Sequence, residues 1–340
     1  MDDIMVSICV LSYNHEKYLR DCLDGIVMQK TTFPIEAWVH DDASTDGSAA
    51  IIREYAEKYP AIIKPILQTE NQYSKNKRIL ARFVYPRCVG RYIASCEGDD
   101  YWIDPYKLQK QVDFMENHPE IGLCYTDYNQ QCDQGAIVPS MYEKQHNYRP
   151  DTYEQHLLKP GYLAPMTWVF RRVLLSYFMQ SNVVSDGSYA YMLEFMHNSK
   201  VAYIPEVTAT YRVHPNSASR PATLERQWQY VFGVMQTQLE YAQKFGNESL
   251  VEKVYLNNYL IDVLPLAIKL GKSEFIEEAK TFLNDIGINI NEQIELIETY
   301  QDIENKYNKI RASQAYKIGT MLFTPYQMMR SFLRKIWAKK

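Results

Sequence analysis

Short β-rich segments alternate with segments of helical periodicity from the start of this sequence to about residue 127. The predicted strands lie at 5–11, 35–39, 62–67, 91–96 and 121–127. Between the first two, apolar residues from Tyr18 to Val27 recur every three or four positions, which is typical of a helix with one buried face. This alternation predicts an α/β domain with a mostly parallel sheet flanked by helices.

Several further elements follow from the same reasoning. Either Ser44 or Asp46 caps a helix that ends before Pro60, and more helices are predicted at 74–88, 104–117 and 189–196. Two short strands are predicted at 167–170 and 201–204, and the polar stretch 130–165 is expected to be rich in loops.

Beyond residue 213 the pattern changes to long helical segments, predicted at 224–245, 250–270, 273–283 and 291–311. We therefore expect three parts: an α/β domain over 1–218, an all-helical domain over 219–312, and a C-terminal segment over 313–340.

The C-terminal segment is basic and amphipathic. Nine basic residues and no acidic residue follow Glu304, and apolar residues recur every four positions between Met328 and Trp337. Such a helix suits an anionic partner, either a membrane surface or a nucleic acid. Alternatively, its apolar stripe packs on the helical domain.

Composition excludes several classes of protein. With 46% hydrophobic and 23% charged residues over 340 positions, the chain is not predominantly disordered. Its apolar runs are far shorter than the roughly 20 residues of a membrane span, and its acidic start is unlike a secretory signal. The six cysteines form no C-x-x-C pair, so we expect reduced thiols in a cytoplasmic protein.

Acidic residues follow two of the predicted strands. Asp41 and Asp42 come after the second strand, and Glu97, Asp99 and Asp100 come after the fourth. Ligands of open α/β sheets bind beyond the carboxyl ends of the strands, where both clusters should meet. Clustered carboxylates repel one another unless a cation neutralises them, and oxygen ligands suit Mg²⁺ or Mn²⁺ holding a diphosphate.

Two common nucleotide-binding motifs are absent from the sequence. The first strand is followed by Ser-Tyr-Asn-His rather than G-x-G-x-x-G, and no G-x-x-x-x-G-K-[ST] occurs. Lys77, Arg78 and Arg82, on the predicted helix 74–88, are candidates for a phosphate contact or form a solvated helix face.

The ordered set of motifs resembles the family 2 glycosyltransferases. The resemblance covers about residues 4–218, and its motifs are Ser12-Tyr13-Asn14, the segment 40–48, Glu97-Gly98-Asp99-Asp100-Tyr101-Trp102, and Tyr211-Arg212-Val213-His214. It implies a GT-A (Rossmann-like) fold and inverting transfer of a sugar from a nucleotide-diphosphate sugar, expected to be a UDP-sugar. Processive members carry membrane helices and a Q-x-x-R-W motif, which this sequence lacks, so a non-processive enzyme is expected.

The resemblance also implies roles for single residues. Ser12, Tyr13 and Asn14 would line the nucleoside pocket, and Asp42 would accept a hydrogen bond from the base. Asp99 would lie at the ribose and the cation. The expected cation ligands are Glu97, Asp99, Asp100 and His214. The sequence does not determine which of the three acids would bind the cation directly.

An inverting transfer needs a carboxylate that takes the proton of the acceptor hydroxyl. The family places it at an acidic motif that opens a helix, and Asp186 is the candidate here. The chain has Ser-Asp where Glu-Asp is common, and a helix N-cap is the alternative role. Trp168 and Trp102 are expected to border the acceptor pocket or to be core residues.

The expected partners are a nucleotide sugar, a glycan or lipid-linked glycan acceptor, and a membrane surface bound by the C-terminal segment, with no nucleic acid. This predicts a cytoplasmic enzyme, peripheral on the inner face of the membrane, in cell-surface polysaccharide synthesis. The main alternative is a catalytically inactive GT-A module that binds nucleotide sugars or other proteins. A nucleotidyltransferase is disfavoured because its glycine-rich phosphate loop is missing.

Overall fold

The computed structural model describes residues 3–132, 135–179, 187–213, 223–245 and 248–285. The chain divides into two compact units, Met1–Ser217 and Ala218–Lys340. Within the described part, no helix combines the length and apolarity that a membrane crossing requires.

The first unit is built on a nine-stranded sheet. Its strands are β1 Val6–Ser12, β2 Ile35–Asp41, β3 Ile63–Leu67, β4 Tyr92–Ser95, β5 Tyr101–Trp102, β6 Ile121–Gln131, β7 Ile137–Val138, β8 Val169–Arg171 and β9 Lys200–Arg212. Their order is β3-β2-β1-β4-β8-β6-β9-β5, with β7 paired to β6. The first four strands are mutually parallel, whereas β8 runs antiparallel to both β4 and β6. The sheet is therefore mixed, and parallel in the half that carries the acidic residues.

Helices flank this sheet. They are α1 Leu19–Val27, α2 Ser48–Lys58, α3 Lys107–Asn117, α4 Tyr153–Leu158, α5 Leu175–Met179 and α6 Ser188–Asn198. Shorter helical turns span Leu80–Val84, Tyr85–Arg87, Pro165–Thr167 and Arg172–Leu174. The predicted apolar face of α1 is buried, with Leu19, Cys22, Leu23 and Ile26 fully enclosed. Burying that face against the sheet is what stabilises so short a helix.

A buried lysine lies inside the first unit. Lys107, at the start of α3, has no exposed surface and donates hydrogen bonds to Oε1 of Gln111 (2.6 Å) and the carbonyl of Thr167 (3.4 Å). Its ammonium lies 4.6 Å from the ring centroid of Trp102. Burial lowers the pKa of Lys107 to about 7.

The predicted helix at 74–88 is wrong over its first half, because helical structure begins only at Leu80. In a helix from Ser74 the N–H of Arg78 would donate to the carbonyl of Ser74, but here it donates to Oδ1 of Asn76 at 2.9 Å. Asparagine favours such local bonds over a continuing helix. Lys77 lies in a bend before this helical turn, and its side chain is exposed.

Other boundaries also differ from expectation. The loop-rich stretch 130–165 contains β7 and the short helix α4, whose N-cap Thr152 accepts from the N–H of Gln155. The last strand extends to Arg212 because it pairs with β6 along almost its whole length.

The second unit is helical where it is described. It contains α7 Leu224–Lys244, α8 Glu248–Val254, the π-helical segment Tyr255–Val263, α9 Leu264–Lys269 and α10 Ser273–Asp285. Trp228, Leu266 and Ala267 form its buried cluster, against which Phe232 and Phe275 pack. The predicted helix 291–311 and the segment 313–340 lie outside the described residues.

Candidate active site

The predicted acidic cluster forms in the turn between β4 and β5. One carboxylate oxygen each from Glu97, Asp99 and Asp100 lies within 4.8 Å of the others. This turn is held against the neighbouring strand β1, because the N–H of Gly98 donates to the carbonyl of Leu11 at 2.8 Å. The arrangement brings three anionic groups together at the sheet edge that the sequence predicts.

Gly98 is required by the close packing of this turn. A Cβ atom at this position would lie 2.9 Å from the carbonyl oxygen of Leu11 and 2.8 Å from Nδ1 of His15. The first contact is with backbone, so a side chain here would displace the acidic turn.

Asp100 is the buried member of the cluster. Oδ1 accepts a hydrogen bond of 2.8 Å from the N–H of Arg212, and Oδ2 has no hydrogen-bond partner among the described residues. Burial, together with the charges of Asp99 and Glu97, raises the pKa of Asp100 well above its usual range. Such a carboxylate is stabilised in its charged form by a cation.

Glu97 and Asp99 are nearer to solvent. Glu97 remains accessible at its surface, yet the protein packed around it and the charge of Asp99 raise its pKa to about 7. Nε2 of His15 lies 3.9 Å from Oδ2 of Asp99. His15 was not identified from the sequence, although it directly follows the Ser12-Tyr13-Asn14 motif.

Arg212 fastens the acidic turn to the end of β9. Its guanidinium donates three hydrogen bonds, from Nη1 to the carbonyl of Asp99 (2.6 Å), from Nη2 to Oδ2 of Asp21 (2.7 Å) and from Nε to Oε1 of Gln131 (3.1 Å). The centroids of the Tyr18 and Tyr101 rings each lie 4.8 Å from the guanidinium carbon. The sequence motif Tyr211-Arg212-Val213-His214 contains this residue, but the resemblance gives a role only to His214. The position of Arg212 in this motif, two residues before His214, is the sequence signal that could have identified it.

Asp42 organises the neighbouring loop. Its Oδ1 accepts from the N–H of Gln72 (2.7 Å) and its Oδ2 from the N–H of Tyr73 (3.0 Å), and the side chain is buried. Each carboxylate oxygen retains capacity for a second bond. The end of β2 is thereby tied to the loop that follows β3.

The Ser12-Tyr13-Asn14 motif lies at the end of β1. Ser12 is buried and its Oγ has no hydrogen-bond partner in the described part of the chain, whereas the ring of Tyr13 is 47% exposed. Asn14 adopts a positive φ of 57°, and its Oδ1 accepts from the N–H of Thr45 at 2.8 Å. Asn14 thus joins the loops after β1 and β2, and the N–H of Asp42 donates to the carbonyl of Ser12 at 3.0 Å.

Two further candidates, Arg78 and Trp102, pack against other parts of the first unit. Arg78 packs over the ring of Phe178 at 5.1 Å and donates to its carbonyl at 3.3 Å, which ties it to α5. Trp102 is a core residue, because it is 2% exposed and its Nε1 donates to the carbonyl of Met166 at 2.7 Å. Asp186 and His214 lie outside the described residues, so their roles stay predictions.

Comparison with known proteins agrees with this arrangement. An uncharacterised protein of Mycobacterium tuberculosis is 34% identical over 226 residues, covering 65% of this chain and 62% of the relative. The UDP-Glc:α-D-GlcNAc-diphosphoundecaprenol β-1,3-glucosyltransferase of Escherichia coli is 27% identical over 265 residues, or 77% of this chain and 94% of the relative. This chain therefore spans less than two thirds of the mycobacterial protein.

The fold is shared with a mannosyltransferase from Pyrobaculum calidifontis, solved in complex with GDP-Man and Mn²⁺. The TM-score is 0.55 at 16% identity, covering 100% of this chain and 90% of the other. This likeness confirms the predicted fold class, and the family described as Glycosyl transferase family 2 matches residues 7–178, just over half of the chain. The chain belongs to the family 2 glycosyltransferases.

Proposed function

We propose that this protein is a cation-dependent, inverting and non-processive glycosyltransferase. It would move a sugar from a nucleotide-diphosphate sugar, with UDP as the nucleotide, to a hydroxyl acceptor. The observation that carries the proposal is the cluster of Glu97, Asp99 and Asp100 at the end of β4, with its buried, unpartnered Oδ2.

The donor set suits a divalent cation. Three carboxylates supply the hard oxygen ligands that Mn²⁺ and Mg²⁺ prefer, and the unpartnered oxygen of Asp100 is buried where only a cation or a donor group would stabilise its charge. A bound cation would offset the negative charge that develops on the leaving diphosphate.

The remaining residues would bind and orient the donor. Ser12 and Tyr13, with Asn14 between the two loops, would line the nucleoside pocket, and Asp42 would accept a hydrogen bond from the base. His214 would complete the cation site. Lys77 is proposed to contact phosphate, whereas Arg78 would act through its packing on Phe178 rather than as a free cation.

We propose that Asp186 is the general base. The acceptor oxygen would attack the anomeric carbon from the face opposite the diphosphate, and the Asp186 carboxylate would take the hydroxyl proton as the new bond forms. The anomeric configuration is inverted in a single displacement of this kind.

The acceptor is proposed to be a lipid-linked glycan of cell-surface polysaccharide synthesis. The activity for which the E. coli relative is named, transfer to a GlcNAc-diphosphoundecaprenol, supports this class of acceptor. The basic segment 313–340 would hold the protein on the cytoplasmic face of the membrane, with each basic residue contributing on the order of 1 kcal/mol near an anionic surface. Co-sedimentation with anionic liposomes should fall when the chain is truncated before Ala315, and equal binding by both forms would contradict the docking role.

A transfer assay tests the proposed reaction. With UDP-sugars and a lipid-linked acceptor, turnover should require Mn²⁺ or Mg²⁺, cease in excess EDTA, and yield a product whose anomeric configuration is inverted by NMR. Nucleotide binding without turnover for any donor tested would favour the alternative of an inactive binding module.

A further inference from the structure

A recess opens beside the acidic cluster, beneath the ends of β1 and β4. Its cavity volume is about 50 Å³, and its walls are mainly apolar. Among the residues that line it are Glu97, Ser95, Trp168, Tyr85, Tyr191 and Phe195. Tyr85 comes from the turn after Leu80–Val84, Trp168 from the residue before β8, and Tyr191 and Phe195 from α6, so the recess lies between the sheet and helical elements.

One polar group in this wall lacks a partner. Trp168 is 3% exposed, and its Nε1 is buried without a hydrogen-bond partner in the described part of the chain. Buried N–H groups are nearly always paired, and an unpaired one is costly. The lining thus includes one residue with an unpaired donor, Trp168, and one with a carboxylate acceptor, Glu97, and the rest of it is mainly apolar.

We propose that the recess receives the acylamino group of an N-acylated donor sugar, an inference that rests on the proposed glycosyltransferase function. The acyl carbonyl would accept from Nε1 of Trp168. The amide N–H would donate to the carboxylate oxygen of Glu97 that does not bind the cation, since the cluster uses one oxygen of each acid. The acyl methyl would pack against the rings of Tyr191 and Phe195. Each feature of the recess thus has a counterpart in the amide group.

Other substituents match the recess less well. A hydroxyl group is too short to reach the apolar walls of the recess. The methyl group of a deoxy sugar would leave the indole N–H of Trp168 without a hydrogen-bond partner. Specificity of this kind arises because buried polar groups are left unpaired by the wrong ligand.

Calorimetry on the full chain with Mn²⁺ tests the proposal. The probes are UDP, UDP-GlcNAc, UDP-Glc, UDP-GalNAc and UDP-Gal. We expect each N-acetylated donor to bind at least about fivefold more tightly than its hydroxyl counterpart, the factor that one hydrogen bond contributes.

Two variants and one control assign the effect to the recess. Trp168→Phe keeps the aromatic character but removes the N–H, and Ser95→Leu fills the recess, so both should abolish the preference while UDP affinity is unchanged. Trp38→Phe is the matched control, because the Nε1 of Trp38 is also unpartnered among the described residues but Trp38 does not line the recess.

The outcomes separate this inference from the proposed function. If UDP binds but the N-acetylated and plain donors bind equally, or if Trp168→Phe retains the preference, the recess has another role and only this inference fails. If UDP itself does not bind with Mn²⁺, the proposed function fails and the inference falls with it.

Discussion

The backbone N–H of Arg212 donates a hydrogen bond of 2.8 Å to Oδ1 of Asp100, although the two residues are 112 positions apart. The guanidinium of the same arginine binds the carbonyl of Asp99. The last strand of the sheet therefore fixes the acidic turn, and it leaves Oδ2 of Asp100 available to a ligand.

Arg212 is predicted to be a positioning residue for the cation site. Arg212→Lys keeps the charge, but a lysine cannot make the hydrogen bonds to Asp99, Asp21 and Gln131 at the same time. We therefore expect the Mn²⁺-dependent affinity for UDP to fall about 10- to 100-fold, as for other residues that orient metal ligands. Arg91→Lys, at an exposed ion pair with Glu116, is the control and should leave the affinity unchanged. Calorimetry with Mn²⁺ and UDP measures both, and equal affinities for the two variants would show that Arg212 does not position the acids.

Gly98→Ala should disturb the acidic turn. The new Cβ would meet the backbone of Leu11 at 2.9 Å, so we expect the free energy of unfolding to fall by about 1–3 kcal/mol and UDP binding to weaken. Gly233→Ala is the matched control, since it lies inside α7 and a Cβ added there would have nothing within 4 Å. That variant should be stabilised by up to about 1 kcal/mol in urea denaturation; similar behaviour of both variants would contradict the steric account.

Lys107 should make stability depend on pH. Its pKa is lowered to about 7 in the folded protein and is about 10.4 in the unfolded chain, so the unfolded state binds the extra proton between these values. The stability of the wild-type protein should therefore rise relative to Lys107→Met as the pH increases from 7 towards 10, by at most about 1.4 kcal/mol per pH unit. Urea denaturation at pH 7, 8 and 9 measures the difference, and a constant difference would mean that Lys107 is already charged in the folded protein across this range.

Asp186→Asn separates chemistry from binding. Removing only the proton acceptor should lower the transfer rate by about 10²- to 10⁴-fold while the affinity for donor stays the same. Single-turnover rates and calorimetry on the same preparation distinguish the two effects. A parallel loss of donor affinity and rate would instead identify Asp186 as a helix cap.

The local part of this fold is predictable from the sequence. The strands β1, β2 and β4 are short apolar runs whose patterns are complete within a few residues, so the parallel half of the sheet and the acids at its edge follow directly. The antiparallel insertion of β8 between β4 and β6 depends on pairing between distant segments, which a local pattern does not contain. The same holds for Arg212, whose contacts with the acidic turn exist only after β9 has taken its place.

Side-chain capture of the backbone explains the clearest error. The apolar spacing over 74–88 is helical, but Oδ1 of Asn76 accepts the N–H of Arg78, and Asp42 holds the preceding Gln72 and Tyr73 in a loop. Asn76 is a local acceptor, whereas Asp42 reaches the loop from the end of β2, about 30 positions earlier in the sequence. A prediction based on apolar periodicity alone misses this competition.

Calorimetry of UDP binding to the wild-type protein and to Asp100→Asn, with Mn²⁺ and in excess EDTA, tests the central claim most directly. Asp113→Asn, at an exposed acid on α3, is the matched control. The account predicts that Mn²⁺ strengthens UDP binding at least about tenfold in the wild-type protein and in the control, and not in Asp100→Asn. Equal Mn²⁺ enhancement in all three proteins would contradict a cation site at Glu97, Asp99 and Asp100.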